Sequence, residues 1–255
     1  MKAFSGDTKY MFRLYSPPTD FVPSLVHWLR DNLKQRRIVI LNPNNETGWI
    51  MSETSKKAFK QDGFEVLDAP MFEVGGKDFS PLLTRAMSMN PEIIDLGAAP
   101  PATSGILVRQ ARELGFKGVF VKTSGGSPMD IVAGAGKEAS EGTVDMLFAA
   151  PDNPGFLRLA EAYQKQYGHE PNDVIASYYD GFNVLLRAIA AAGSVSDTAK
   201  VASSFDKALP MTSVQGEQLT LGGKDRIGVD HQVMSVNYIG VIKDGVPVVV
   251  GKVSP

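Results

Sequence analysis

Cysteine is absent from the 255 residues. That excludes disulfides, cysteine-ligated zinc, iron–sulfur clusters and thiol catalysis. It leaves the compartment open, because exported proteins also occur without cysteine. A basic excess is absent as well: 26 Lys and Arg stand against 28 Asp and Glu, so nucleic acid is not an expected partner. No apolar run reaches the ~18 residues of a membrane-spanning helix. After Lys2 there is no apolar stretch of about 7 to 15 residues, so no signal peptide is expected in this chain. Histidine is scarce, with His27, His169 and His231. They form no HExxH, no pair one helical turn apart and no cluster with carboxylates, so each reads as an ordinary surface or structural histidine.

The composition that remains is that of a folded chain, with 43% hydrophobic and 21% charged residues. Its length suits one large domain or two small ones. Residues 37–41 (RIVIL) form a short apolar strand ending in the turn cluster Asn42-Pro43-Asn44-Asn45. A helix is expected over 48–61, and strand resumes at 64–67. Ser80-Pro81 is a helix start, with serine as cap and proline in the first turn. Residues 92–96 are the next strand, followed by the loop Gly97-Ala98-Ala99-Pro100-Pro101. Ser104 caps a helix to Leu114, and residues 119–121 are strand before Thr123-Ser124-Gly125-Gly126-Ser127. Short buried strands alternating with helices predict a parallel sheet covered on both faces. After residues 144–148 the pattern changes. Helices are expected from Asn153-Pro154 to Gly168, over 173–192 and over 197–208, with no sheet of their own. Strands return at 233–238 and in a hairpin turning at Asp244-Gly245.

Catalytic and nucleotide-binding motifs fail on inspection. Gly134-Ala135-Gly136-Lys137 lacks the earlier glycine of a phosphate loop and has Glu138 where Ser or Thr is needed. There is no GxGxxG after a strand and no GxSxG elbow. Ser124 has no base at a recognisable spacing, and the polar residues 42–46 match no calcium loop. Clefts in open parallel sheets form beyond the C-terminal strand ends, which here points to the loops 42–48, 97–103 and 123–127. They offer hydroxyls, an amide and backbone N–H groups without dense acid–base machinery. Such a site holds a small molecule rather than transforming it.

Four segments resemble the type I periplasmic solute-binding proteins of ABC importers, in the branched-chain amino acid, or Leu/Ile/Val-binding, group. They are residues 37–48, residues 76–83 (GKDFSPLL), residues 109–117 (RQARELGFK) and residues 156–193 with Tyr163, Tyr167-Gly168 and Tyr179-Asp180. The resemblance implies an α/β fold with a three-layer α/β/α Rossmann-like lobe plus an incomplete second lobe. The first lobe is expected over 16–147 and 214–255. The second, mostly helical, is expected over 1–15 and 148–213, with crossings near 12–16, 148–151 and 209–214. It implies no enzyme activity, no cofactor and no metal. The implied partners are a small-molecule solute and ABC permease subunits at the membrane, and the implied location is periplasmic or extracytoplasmic. By the same resemblance, the segment that precedes the first crossing in the family is expected to be missing. Apolar faces of the second lobe's helices are then left uncovered, so a homodimer is expected.

On the family's site loops this chain carries Asn45, Thr47, Ala98, Ala99 and Ser124, with Arg13 at the first crossing and Tyr178 on the helix beside the cleft. Where the amino acid binders place tyrosines it has Thr47, Ala98 and Ala99, and where they place a glutamate for the ligand ammonium it has Ser124. A buried ammonium needs a carboxylate partner. A carboxylic or aromatic acid is therefore the expected solute rather than an amino acid. A ligand-sensing receptor domain and a truncated remnant without binding activity are the alternatives.

Overall fold

The computed structural model describes residues 4–253. They divide into two compact units: Pro18–Leu147 with Tyr238–Val253, and residues 4–17 with Phe148–Asn237. In chain order the first unit supplies α1 (Pro18–Asn32), β1 (Arg37–Ile40), β2 (Asn42–Pro43), α2 (Glu46–Gln61), β3 (Glu65–Asp68), β4 (Met71–Phe72) and α3 (Ser80–Met87). It continues with β5 (Ile93–Asp95), α4 (Pro101–Glu113), β6 (Val119–Lys122), α5 (Pro128–Ala135), α6 (Lys137–Ser140) and β7 (Val144–Leu147). The second unit holds α7 (Pro154–Tyr167), α8 (Ile175–Ala192), α9 (Thr198–Ala202), α10 (Phe205–Ala208), β8 (Met211–Thr212), β9 (Gln218–Gly222), α11 (Lys224–Ile227) and β10 (Gln232–Met234). The chain ends with β11 (Asn237–Lys243) and β12 (Val246–Val253) in the large sheet.

That sheet has the order β12-β11-β7-β6-β5-β1-β3. The pairings β3–β1, β1–β5, β5–β6 and β6–β7 are parallel, and β11 joins β7 antiparallel. Ile38, Val39 and Ile40 are all fully buried, as a central parallel strand covered on both faces requires. On one face Val39, Leu41, Ile94 and Phe120 join Leu83 and Ala86 of α3 and Leu107, Val108 and Ala111 of α4 in a single apolar cluster. Helix α1 buries the stripe Phe21, Val22, Leu25, Val26 and Leu29, and α1 packs on α2, which packs on β1. Each such side chain contributes about 1.5–3 kcal/mol by leaving water. Helices α4 and α5 meet through glycine. A Cβ on Gly105 would lie 2.7 Å from the Gly134 Cα, and one on Gly134 would lie 2.9 Å from the Gly105 Cα. Gly134 is thus a packing residue.

In the second unit, Asn153 caps α7 by accepting from the N–H groups of Gly155 and Phe156, and Gly168 ends it in the left-handed region. Val184 and Ala188 of α8 pack with Phe205, Ala208, Met211, Leu219 and Val233. The Phe12 ring stacks on Phe205 at 3.7 Å and on His231 at 4.1 Å. Asp180, buried in α8, accepts from the Ser213 hydroxyl, the Val214 N–H and the Gln215 amide, and Gln215 in turn accepts from Ser177. One polar knot so fastens the helix to the segment between β8 and β9.

Several expectations need correction. The helical block does have a sheet, the antiparallel β10-β9-β8. Residues 214–237 therefore group with it and not with the parallel unit, and the divide falls at Asn237/Tyr238. The strand expected over 233–238 is two strands, β10 in the small sheet and β11 in the large one. The helix expected over 197–208 breaks into α9 and α10. Neither Ser80 nor Ser104 caps a helix. Asp78 accepts from the Ser80 N–H, and Ser104 lies inside α4, its hydroxyl donating to the carbonyls of Ala99 and Pro100. Residues 1–3 and 254–255, which the expected lobe ranges include, lie outside the described residues. The hairpin turn stands as expected, with φ of 54° at Asp244 and 80° at Gly245.

Candidate functional site

Beyond β1 the chain runs to β3 on one side of the sheet, and β5 takes the other side. The switch point is therefore β1/β5, where open α/β sheets carry their ligand cleft. Three strand ends meet there: Leu41-Asn42 after β1, Asp95-Leu96-Gly97 at β5, and Lys122-Thr123-Ser124 at β6. Asn42 is buried, and its Oδ1 accepts from the Ala98 N–H at 2.9 Å. Gly97 adopts φ of 47°, and a Cβ there would lie 2.4 Å from that same Oδ1. The tight turn after β5 thus requires glycine.

Beneath the loops lies a charged cluster. Asp95 is fully buried and accepts from the Gly97 N–H at 2.9 Å and from the Thr123 N–H at 3.2 Å, while the Thr123 hydroxyl donates to it at 2.8 Å. Burial pushes its carboxyl up to about 6, against the opposing pull of those hydrogen bonds and of Lys122. Lys122 is 2% exposed and pairs in register with the buried Asp145 across β6–β7. Burial brings its ammonium down to about 8, against the attraction of Asp145 and Asp95. Lys122 Nζ donates to the Gly97 carbonyl at 2.8 Å and to Ser124 Oγ over a short contact.

The expected site residues divide into groups. Asn45, Thr47, Ala98 and Ser124 all sit in the first unit, on the loops and helix start beyond β1, β5 and β6. Asn45 is exposed, and its side chain caps α2 by accepting from the Gly48 N–H at 2.9 Å. Thr47 is exposed in the first turn of α2, and Ala98 and Ser124 are half-buried. Ala99 is 2% exposed and belongs to the apolar core with Leu96 and Leu107. Arg13 is in the second unit, bridging in parallel to Gln232 through its backbone and donating to the Gln232 side chain at 3.2 Å. Its guanidinium also lies over the Phe4 ring. Tyr178 is 58% exposed on α8, 6.3 Å from the Tyr15 ring. With Tyr10, Phe12, Phe182 and Val195 it lines an apolar groove of about 700 Å³.

Asp95, Lys122 and Asp145 escaped the sequence reading. Each is a charged residue at or near the end of a strand that is otherwise apolar (IID, VFVK, VDML), a pattern that fits a solvated strand edge equally well. Among the described residues no group of three or more His, Asp or Glu could hold a metal ion, and no helix is long and apolar enough to cross a membrane.

The chain is thus a parallel α/β unit with polar loops at its switch point and a second unit built from residues 4–17 and 148–237. Residues 5–246 match the family described as Periplasmic binding protein, and the chain belongs to it. It is 27% identical over 191 residues to Leu/Ile/Val-binding protein homolog 2 of Brucella abortus, covering 74% of this chain and 50% of that protein. The chain thus spans about half the length of the curated relatives it matches. A leucine binding protein from Thermotoga maritima superposes with a TM-score of 0.80 at 26% identity, covering 98% of this chain and 69% of that one. An ABC transporter solute binding protein from R. palustris, in complex with benzoate, superposes with a TM-score of 0.77 at 16% identity, covering 96% and 65%. That second likeness bears on the fold alone. The fold is the type I periplasmic-binding-protein α/β fold, one shared with non-catalytic solute-binding proteins, and the family is consistent with a periplasmic or extracytoplasmic location.

Proposed function

We propose that this protein binds a small solute for an ABC importer of the branched-chain amino acid type and hands it to permease subunits at the membrane. We also propose that the solute is a carboxylic or aromatic acid without an ammonium group. The observation that carries the ligand class is the end of β6. The half-buried polar group there is the neutral hydroxyl of Ser124, which accepts from Lys122, while the nearby carboxylate of Asp95 is occupied by Gly97 and Thr123. A ligand ammonium would enter there without an anionic partner, at a cost of several kcal/mol. Ala98, half-buried on the loop after β5, is small where a ring or branched chain of such a solute would need width. Recognition and closure, with no covalent step, are the proposed mechanism.

Calorimetry with benzoate, 4-methylpentanoate, L-leucine, L-isoleucine and L-valine tests the reading. Binding of the acids is expected, and binding of only the three amino acids overturns it. The exposed apolar groove of the second unit supports a further part of the proposal, a homodimer through that face.

A further inference from the structure

We infer that Lys122 is a positioning residue that fixes the Ser124 hydroxyl as an outward hydrogen-bond donor. The end of β6 then selects a solute offering an acceptor oxygen and turns away one offering an ammonium. The inference rests on the ligand class proposed above and adds the group that enforces it.

An ammonium carries three N–H donors and no lone pair. Where Lys122 Nζ meets Ser124 Oγ, the serine can only accept. Its own proton is then left to point away from Lys122 and to serve a solute, and the residue is half-buried rather than sealed in the core. A second N–H of the same ammonium holds the Gly97 carbonyl at 2.8 Å. One side chain so ties the loop after β5 to the loop after β6 and sets both against the switch point. Lys122 has little freedom to do otherwise. It is 2% exposed, stands in register with buried Asp145, and has Asp95 on the strand beyond. Those two carboxylates favour the charged ammonium, so the donor polarity is maintained at neutral pH. A hydroxyl polarised by a cation donates more strongly than a free one. It offers an incoming ammonium one remaining lone pair next to a like charge.

The test compares 4-methylpentanoate with L-leucine, which share a carbon skeleton and differ by the ammonium. Wild type is expected to prefer the acid. Ser124→Ala should weaken acid binding about tenfold, the loss of one charge-assisted hydrogen bond. Lys122→Met combined with Asp145→Asn, which keeps the buried pair neutral, should weaken it by a similar factor. Combining all three changes should add no more than about twofold, because one interaction is removed by either route. A folded Lys122 variant that keeps its affinity, or losses that multiply, overturns the inference while leaving the ligand class standing. A wild type that prefers L-leucine overturns the ligand class itself, and the selectivity claim with it. If the Lys122 variants fail to fold, Ser124→Ala decides, and unchanged acid affinity sinks the inference. A ligand-free measurement covers a protein that binds neither compound. The Lys122 Nζ–H resonance in 15N NMR should shift on Ser124→Ala, and an unmoved resonance removes the hydrogen bond on which the inference stands.

Discussion

Asp95 and Lys122 bear opposite pH signatures. The folded pKa of Asp95 is raised from 3.8 to about 6, so the folded chain holds a proton that the unfolded chain has released. Stability from this group is full below 3.8 and is lost as pH rises through about 6. Asp95→Asn should therefore flatten the decline in urea midpoint over that window, the wild-type change being on the order of 3 kcal/mol. Lys122 is lowered from 10.5 to about 8, so its contribution is full above 10.5 and is lost as pH falls through about 8. Asn45→Ala is a smaller matter. It removes the cap on α2 and should cost about 1 kcal/mol in thermal or urea unfolding. That Ser124, Thr47 and Ala98 lie on the segments beyond β6, β1 and β5 was legible, because the C-terminal strand ends of a parallel sheet are readable from strand order alone. Lys122 and Asp95 were not, because a charged residue closing a short strand reads as a solvated edge until the next strand is seen to bury it. Ala99 misled for the converse reason. A small residue in a loop carries no mark of which way it faces.

At the scale of elements, the segments that carried the family resemblance turn out to be fastenings. Arg112 donates from α4 to the carbonyls of Ala139, Phe116 and Gly118 and lies over the Phe120 ring at 4.6 Å. Gln110 accepts from the Phe79 N–H and donates to the Lys77 carbonyl. The run from Arg109 to Phe116 is therefore a connector that holds α3, α4 and β6 together. Gly105→Ala should force α4 and α5 apart and destabilise by about 1–3 kcal/mol, measurable by chemical denaturation. Asp180→Ala leaves Ser213 and Gln215 buried without their acceptor, and a loss of about 2–3 kcal/mol is expected in the same assay. The β–α alternation and the helix start at Asn153-Pro154 were readable because their residue types have one strong meaning. The small sheet was not. Its strands are two to five residues long, and Gln218-Leu219-Thr220-Leu221 buries only alternate positions, a pattern too short to separate from a loop.

At the scale of the molecule, Tyr178, Phe182 and Val195 present an apolar face with Val195 86% exposed. The proposed homodimer predicts a sedimentation coefficient that rises with concentration and falls to the monomer value in Phe182→Glu. A concentration-independent monomer would remove the dimer from the proposal and leave solute binding untouched.

The antiparallel pairing of β11 with β7 has a consequence for how the chain is made. Leu147 pairs with Tyr238, so residues 148–237, the larger part of the second unit, leave the ribosome between them. Until they have emerged, β7 waits with one unpaired edge of fully buried-type residues, the arrangement that invites intermolecular strand addition. Strand β11, which follows the small sheet in the chain, closes that edge. Synthesis that stalls before Tyr238 would release a chain complete in its small sheet and open in its large one.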